Sequence, residues 1–218
     1  MVKPLYTKLA ASCVVLVLAA GALTSTCGQG VASRRGALYM YRDDALGVDV
    51  RVTVPDPDLG TVVRGAILDG GNNQADLNMM AFASRFGFCI GGIMGGGSNT
   101  YSNGVAAAVI AAFNAWAELD GGARPEFARI PFITTGCSAG GRAGYGLGMY
   151  AWQRTLCMGI NVCAGHNPSN PSDDQIRVPT IFTIGEVDPL VTSANAYCDV
   201  LVKAVRARGG LWSEAVIW

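Results

Sequence analysis

From residue 37 onward, short apolar runs alternate with stretches of helical spacing, and no other feature limits the fold as tightly. Val62 to Leu68 and Phe88 to Met94 read as buried strands, and Ile130 to Thr135, Cys157 to Val162 and Val178 to Ile184 as further strands. The segments between them repeat at the helical period. Near Gln74 to Phe86, Leu77, Met80 and Ala81 share one face. Beyond Ser102 or Asn103, either of which can cap a helix, Val105, Val109, Ala112, Phe113 and Trp116 form a stripe that Gly121-Gly122 stops. A third helix follows the glycine turn at 136–141 and runs through Tyr150. A fourth, capped by Ser193, directs Ala196, Tyr197, Val200, Leu201 and Val205 inward and ends at Gly209-Gly210. Leu211 to Trp218 is a last strand.

Two earlier strands have a different pattern. Leu38 to Arg42 and Val48 to Val54 flank Asp43-Asp44, and Val50, Val52 and Val54 alternate with Arg51 and Thr53 as in a half-buried antiparallel strand. The whole predicts an α/β sandwich with a mostly parallel central sheet flanked by helices. In such sheets the loops at the carboxyl edge hold the site.

Length and composition agree with one such layered domain. The chain has 218 residues, half of them apolar and 15% charged, enough to bury a large core. Sixteen basic residues balance sixteen acidic ones, so nothing favours a nucleic-acid partner. Lys3 and Lys8 precede an apolar stretch from Leu9 to Leu23, with Ala20-Gly21-Ala22 as a cleavage site. That stretch is shorter than the ~20 residues of a spanning helix. Residues 1–26 are therefore expected to be a secretory signal, 27–36 a linker and 37–218 the domain. The product is expected to be secreted or periplasmic, with no stable membrane span after signal removal. Cys27 permits a lipid anchor, although Thr24-Ser25-Thr26 fits that signal poorly.

Export permits disulfides. Cys157 and Cys163, read as members of one strand, stand roughly 20 Å apart and are too distant to bridge each other. Cys89, Cys137, Cys157, Cys163 and Cys198 fall on apolar segments and are expected as buried free thiols. No CxxC pair or His–Cys cluster points to a metal, and Gly95-Gly96-Gly97-Ser98-Asn99 lacks the Gly-Lys-Ser/Thr of a phosphate loop. No cofactor is implied.

Gly136-Cys137-Ser138-Ala139-Gly140 carries the chemistry. A serine hydroxyl is a weak nucleophile until it is exposed, oriented and paired with a base. A sharp strand-to-helix turn accomplishes the first two and needs small neighbours, which Gly136, Gly140 and Gly141 supply. A helix starting at Ser138 also points free N–H groups at a developing oxyanion. The bland alternative is a glycine-rich turn joining a strand to a helix.

Over residues 37–218, the order and spacing of elements resemble the α/β-hydrolase superfamily. Thr135-Gly136-Cys137-Ser138-Ala139-Gly140-Gly141 is most similar to secreted polyhydroxyalkanoate depolymerases and feruloyl esterases. The resemblance implies a serine esterase acting on a small-molecule or polymeric ester. It implies Ser138 as nucleophile and oxyanion N–H groups from Ala139 and from Gly71 or Asn72, in the turn Asp69-Gly70-Gly71-Asn72. It also implies an acid after the strand Val178 to Ile184, where Asp188 is preferred to Glu186. An acyltransferase, a peptidase, or a non-catalytic binding protein on the same scaffold are the rivals.

The superfamily order is serine, acid, histidine, and the single histidine, His166, precedes Asp188. The expectation is therefore a chain truncated at its C-terminus, with the catalytic histidine beyond Trp218. His166 is left as a possible substrate contact or substitute base.

Overall fold

The computed structural model describes residues 30–55, 61–71, 77–95, 103–161, 170–185 and 192–217. Among them, nine strands form one sheet in the order β1-β2-β3-β5-β4-β6-β7-β8-β9. The first three, β1 (Val31–Arg35), β2 (Leu38–Asp43) and β3 (Val48–Thr53), form an antiparallel meander, and β3 joins β5 (Phe88–Gly95) antiparallel. From there β5, β4 (Gly65–Asp69), β6 (Phe132–Cys137), β7 (Thr155–Asn161), β8 (Thr180–Gly185) and β9 (Trp212–Ile217) are mutually parallel. The carboxyl ends of β4, β6, β7 and β8 consequently open onto one sheet edge. The expected mixed sheet, antiparallel at one end and parallel through the rest, is present.

Among the described residues, four α-helices cover the two faces unequally. Helix α2 (Asn103–Gly122) buries Val105, Val109, Ala112, Phe113 and Trp116 against Tyr39, Val50, Val52 and Phe132. The indole N–H of Trp116 donates to the Met40 carbonyl at 3.0 Å, which satisfies its one polar atom inside the core. Helices α3 (Ala139–Tyr150) and α4 (Thr192–Ala207) share a second cluster on the same face, built on Tyr145, Met158, Ile160, Phe182, Leu201, Val205 and Trp212. Trp152 packs at its margin, as a packing residue should. Among the described residues, the opposite face is covered by α1 (Leu77–Phe86), through Met79 and Ala83 over Ile67, Ile90 and Ile133. Ile181, which alternates with the buried Phe182, is exposed on that side.

Four expectations need correction. The second half of the expected linker 27–36 is strand β1, paired from Val31 opposite Arg42 to Arg35 opposite Leu38. Its ladder is made by the backbone, and its side chains, Val31 and Ala32 followed by Ser33, Arg34 and Arg35, give no apolar alternation to read. In α1, Met80 and Ala81 face solvent, and Met79 and Ala83 face the sheet, because the helix rests on Ile67 and Ile90 through that other side. In α4, Val200 is exposed, while Cys198 and Val202 join Leu201 and Val205 inside. Among the described cysteines, Cys89 and Cys198 are buried as expected and Cys157 is half-buried, but Cys137 is exposed where β6 leaves the sheet. Cys163 lies outside the described residues.

Among the described residues, no helix is long and apolar enough to cross a membrane, and no three His, Cys, Asp or Glu side chains cluster as metal ligands.

Candidate active site

Ser138 stands between the last residue of β6 and the first of α3, with φ 56° and ψ −123°. This is neither helix nor strand geometry, and for a residue with a Cβ it costs on the order of 1–3 kcal/mol. The surroundings hold it there. Its N–H donates to the Asn161 carbonyl at the end of β7 (3.3 Å), and its own carbonyl accepts the Arg142 N–H at 3.3 Å, in the first turn of α3. The turn closes so tightly that a Cβ on Gly136 would overlap the Gly140 carbonyl. The sequence requirement for small neighbours thus has a direct steric cause.

A serine in front of a helix ordinarily accepts a hydrogen bond from the second or third helical N–H and so caps it. Ser138 makes no such side-chain bond, since its backbone is turned out of the capping geometry. It is half-buried, and Ala139 beside it is exposed. The first N–H groups of α3 lack intrahelical acceptors and mark a region of partial positive charge next to the hydroxyl. A half-exposed hydroxyl on a strained turn, not spent on capping, beside free N–H donors, is an arrangement suited to nucleophilic attack and oxyanion binding.

The turn after β4 leans directly on this elbow. Gly70 donates its N–H to the Thr135 carbonyl of β6 at 2.9 Å. A Cβ on Gly70 would overlap the Gly140 carbonyl, and one on Gly140 would stand 2.8 Å from Gly71 N. The structure therefore brings Gly71 against the start of α3. It also spends the Gly71 N–H, which donates to Asp69 Oδ1 at 2.6 Å. Burial pushes the Asp69 carboxyl above its ordinary range, and the Gly71 N–H opposes that shift in part. Asp69 is a site residue that reading the sequence alone missed. The signal available was a carboxylate two residues before a glycine N–H, the spacing of an Asx turn.

Asn72, Asp188, Glu186, His166 and residues 96–99 lie outside the described residues. Their anchoring strands are described: β7 ends at Asn161, five residues before His166, and β8 ends at Gly185, three before Asp188. Both strands run parallel to β6 and finish on the edge that carries Ser138.

This fold is shared with solved hydrolases. A thermostable esterase superposes with a TM-score of 0.50 at 18% identity, over 86% of this chain and 54% of the esterase chain. Thermogutta terrifontis esterase 2, in a form phosphoramylated by tabun, matches with a TM-score of 0.52 at 12% identity, over 85% of this chain and 84% of its own. An S-formylglutathione hydrolase from Agrobacterium tumefaciens gives 0.52 at 11% identity, over 86% and 88% respectively. No protein-family model and no curated protein matches the chain. At these identities the likeness is one of architecture: the chain has the α/β-hydrolase fold. It spans about half the length of the thermostable esterase.

Proposed function

We propose that this protein is an exported serine hydrolase that cleaves carboxylic esters through an acyl-Ser138 intermediate. The observation that carries the reading is the strained, uncapping geometry of Ser138 between β6 and α3. In this mechanism Ser138 Oγ attacks the ester carbonyl carbon and yields its proton to a base. The carbonyl oxygen becomes an oxyanion, held by the Ala139 N–H and by an N–H of the turn after β4. The C–O bond breaks and the alcohol departs with the proton. Water then adds to the acyl-serine by the same route and releases the acid. Asp188, three residues beyond β8, is assigned as the acid that orients the base.

Ester hydrolysis is favoured over other acyl transfers because the solved proteins of like architecture include esterases. The organophosphorus modification of one of them suggests the probe. A fluorophosphonate should label the protein at a single site, identified by peptide mass as Ser138, and Ser138→Ala should remove the label. Label that persists in Ser138→Ala would overturn the assignment. Release of free acid from p-nitrophenyl butyrate, with no new ester when an alcohol acceptor is added, separates hydrolysis from acyl transfer. His166 is the one histidine of the 218 residues. Loss of turnover by about 10³-fold or more in His166→Ala would make it the base, and unchanged turnover would exclude it. Export is checked by the intact mass of the mature protein, which should lack a segment ending between about Ala22 and Thr26.

A further inference from the structure

We propose that Asp69 is a positioning residue for acyl transfer at Ser138, because its carboxylate fixes the Gly70–Gly71 peptide against the first turn of α3. This rests on the serine-hydrolase reading above. The parts are few and close. Asp69 ends β4, pairs in register with Thr135 of β6 and Gly92 of β5, and is half-buried. Its Oδ1 takes the Gly71 N–H at 2.6 Å, a charge-assisted bond shorter than the usual amide–carbonyl distance. One residue earlier, the Gly70 N–H is held by the Thr135 carbonyl. Two consecutive N–H groups of the turn are thus tied to β4 and to β6, the strand that leads into Ser138.

The tie matters because of what the peptide rests on. The Gly70 carbonyl carbon and the Gly71 N and Cα are the nearest atoms to a Cβ built on Gly140. Rotation of that peptide would push it into the second residue of α3, two positions after Ser138. It would shift the turn relative to the Ala139 N–H, and oxyanion donors must be placed to within a few tenths of an ångström to act. The bond has a second consequence. A Gly71 N–H engaged by a carboxylate is not available to an oxyanion, so Asp69 removes Gly71 from the two donors the sequence suggested for this turn. Burial of the Asp69 carboxyl fits a group kept for its acceptor atoms and not for solvation.

What is required of residue 69 is an acceptor at the reach of an Asp side chain, and charge is secondary. Asp69→Asn keeps the acceptor, Asp69→Glu keeps the charge but displaces the acceptor by one methylene, and Asp69→Ala removes it. In the full chain, the rate of fluorophosphonate labelling at saturating probe should fall roughly 10- to 100-fold in Asp69→Ala and Asp69→Glu, a range set by loss or misplacement of an oxyanion donor. Half-saturating probe concentration should stay within about threefold, since binding contacts are untouched. Asp69→Asn should label within about threefold of the unaltered protein. Should Asp69→Ala fail to fold, as judged by its thermal transition, the Asn and Glu pair still decides. Normal labelling in Asp69→Glu, or a loss in Asp69→Asn equal to that in Asp69→Glu, overturns the proposal. No labelling of the unaltered protein at Ser138 is a different failure, which removes the hydrolase reading itself and this inference with it.

Discussion

Asp120 and Ser138 are the two non-glycine residues with positive φ among the described residues, and they stand before and after strand β6. Asp120, at the end of α2, has φ 54° and ψ 36°, the left-handed region that Asp enters readily. Its neighbourhood is open. A Cβ on the adjoining Gly121 would meet nothing within 4 Å. Its carboxylate, half-exposed, takes Arg34 of β1 at 3.2 Å, an ion pair too solvated to contribute much. Ser138 has almost the same φ and a wholly different ψ, in a region that side chains rarely occupy. Its neighbourhood is closed by backbone from β4, β6, β7 and α3. The first is a helix terminus that uses a tolerated conformation. The second is a strained conformation held by backbone hydrogen bonds to β7 and α3, and it leaves the hydroxyl unspent on capping the helix.

The difference can be broken by substitution. The largest effect is expected at the serine itself. Ser138→Ala and Ser138→Gly should each lose fluorophosphonate labelling and lower ester turnover by ~10³-fold or more. Ser138→Gly should at the same time gain about 1 kcal/mol in urea unfolding, since glycine relieves the backbone strain. A glycine variant no more stable than the alanine variant would mean that Ser138 is not strained.

The packing of the elbow comes next. A Cβ on Gly144 would overlap the Thr135 carbonyl, so Gly144→Ala should cost about 1–3 kcal/mol or more. Gly121→Ala, with positive φ but open space, should cost about 1–2 kcal/mol from the backbone alone. Equal losses in the two would show that the elbow yields more easily than its contacts imply.

A pH experiment sharpens the contrast between buried and open ground. Burial raises the Cys198 thiol to about 11 from an ordinary 9.0. A folded pKa raised above the unfolded one means that the protonated thiol favours the fold. This stability is fully present below about pH 9 and is lost as pH rises toward 11, because the unfolded chain releases the proton first. Cys198→Ala should flatten that part of the stability profile. At neutral pH a maleimide should modify the exposed Cys137 far faster than Cys89 or Cys198, which should react only on unfolding.

The smallest effect is expected at Asp120. Asp120→Gly exchanges mild strain and a solvated ion pair for a more flexible unfolded chain, and stability should change by no more than about 0.5–1 kcal/mol. A large loss would show that the Arg34 pair anchors β1 to the end of α2.

Much of this molecule was legible before any coordinates. The continuous apolar run at 88–94 is a strand buried on both faces, the runs at 130–135 and 178–184 are strands as well, and the α2 stripe ending in Trp116 is a helix face because only the helical period brings those residues together. The Gly-x-Ser-x-Gly pattern located the elbow, since small residues on both sides of a serine between strand and helix leave few other uses. Those are local facts, written in periodicity and residue size.

The rest depended on neighbours far along the chain. Strand β1 is a strand because β2 accepts its backbone, whatever its side chains. The inward residues of α1 are Met79 and Ala83, not Met80 and Ala81, because the rotation of the helix on the sheet is set by its packing over Ile67 and Ile90. Gly71 lies at the start of α3, and its N–H is held by Asp69, because a short carboxylate at the end of β4 reaches it. Sequence spacing states which groups can be near a site. Which of them is already occupied by a hydrogen bond is decided only when separate strands and turns are packed against each other, because the competing acceptor comes with the fold.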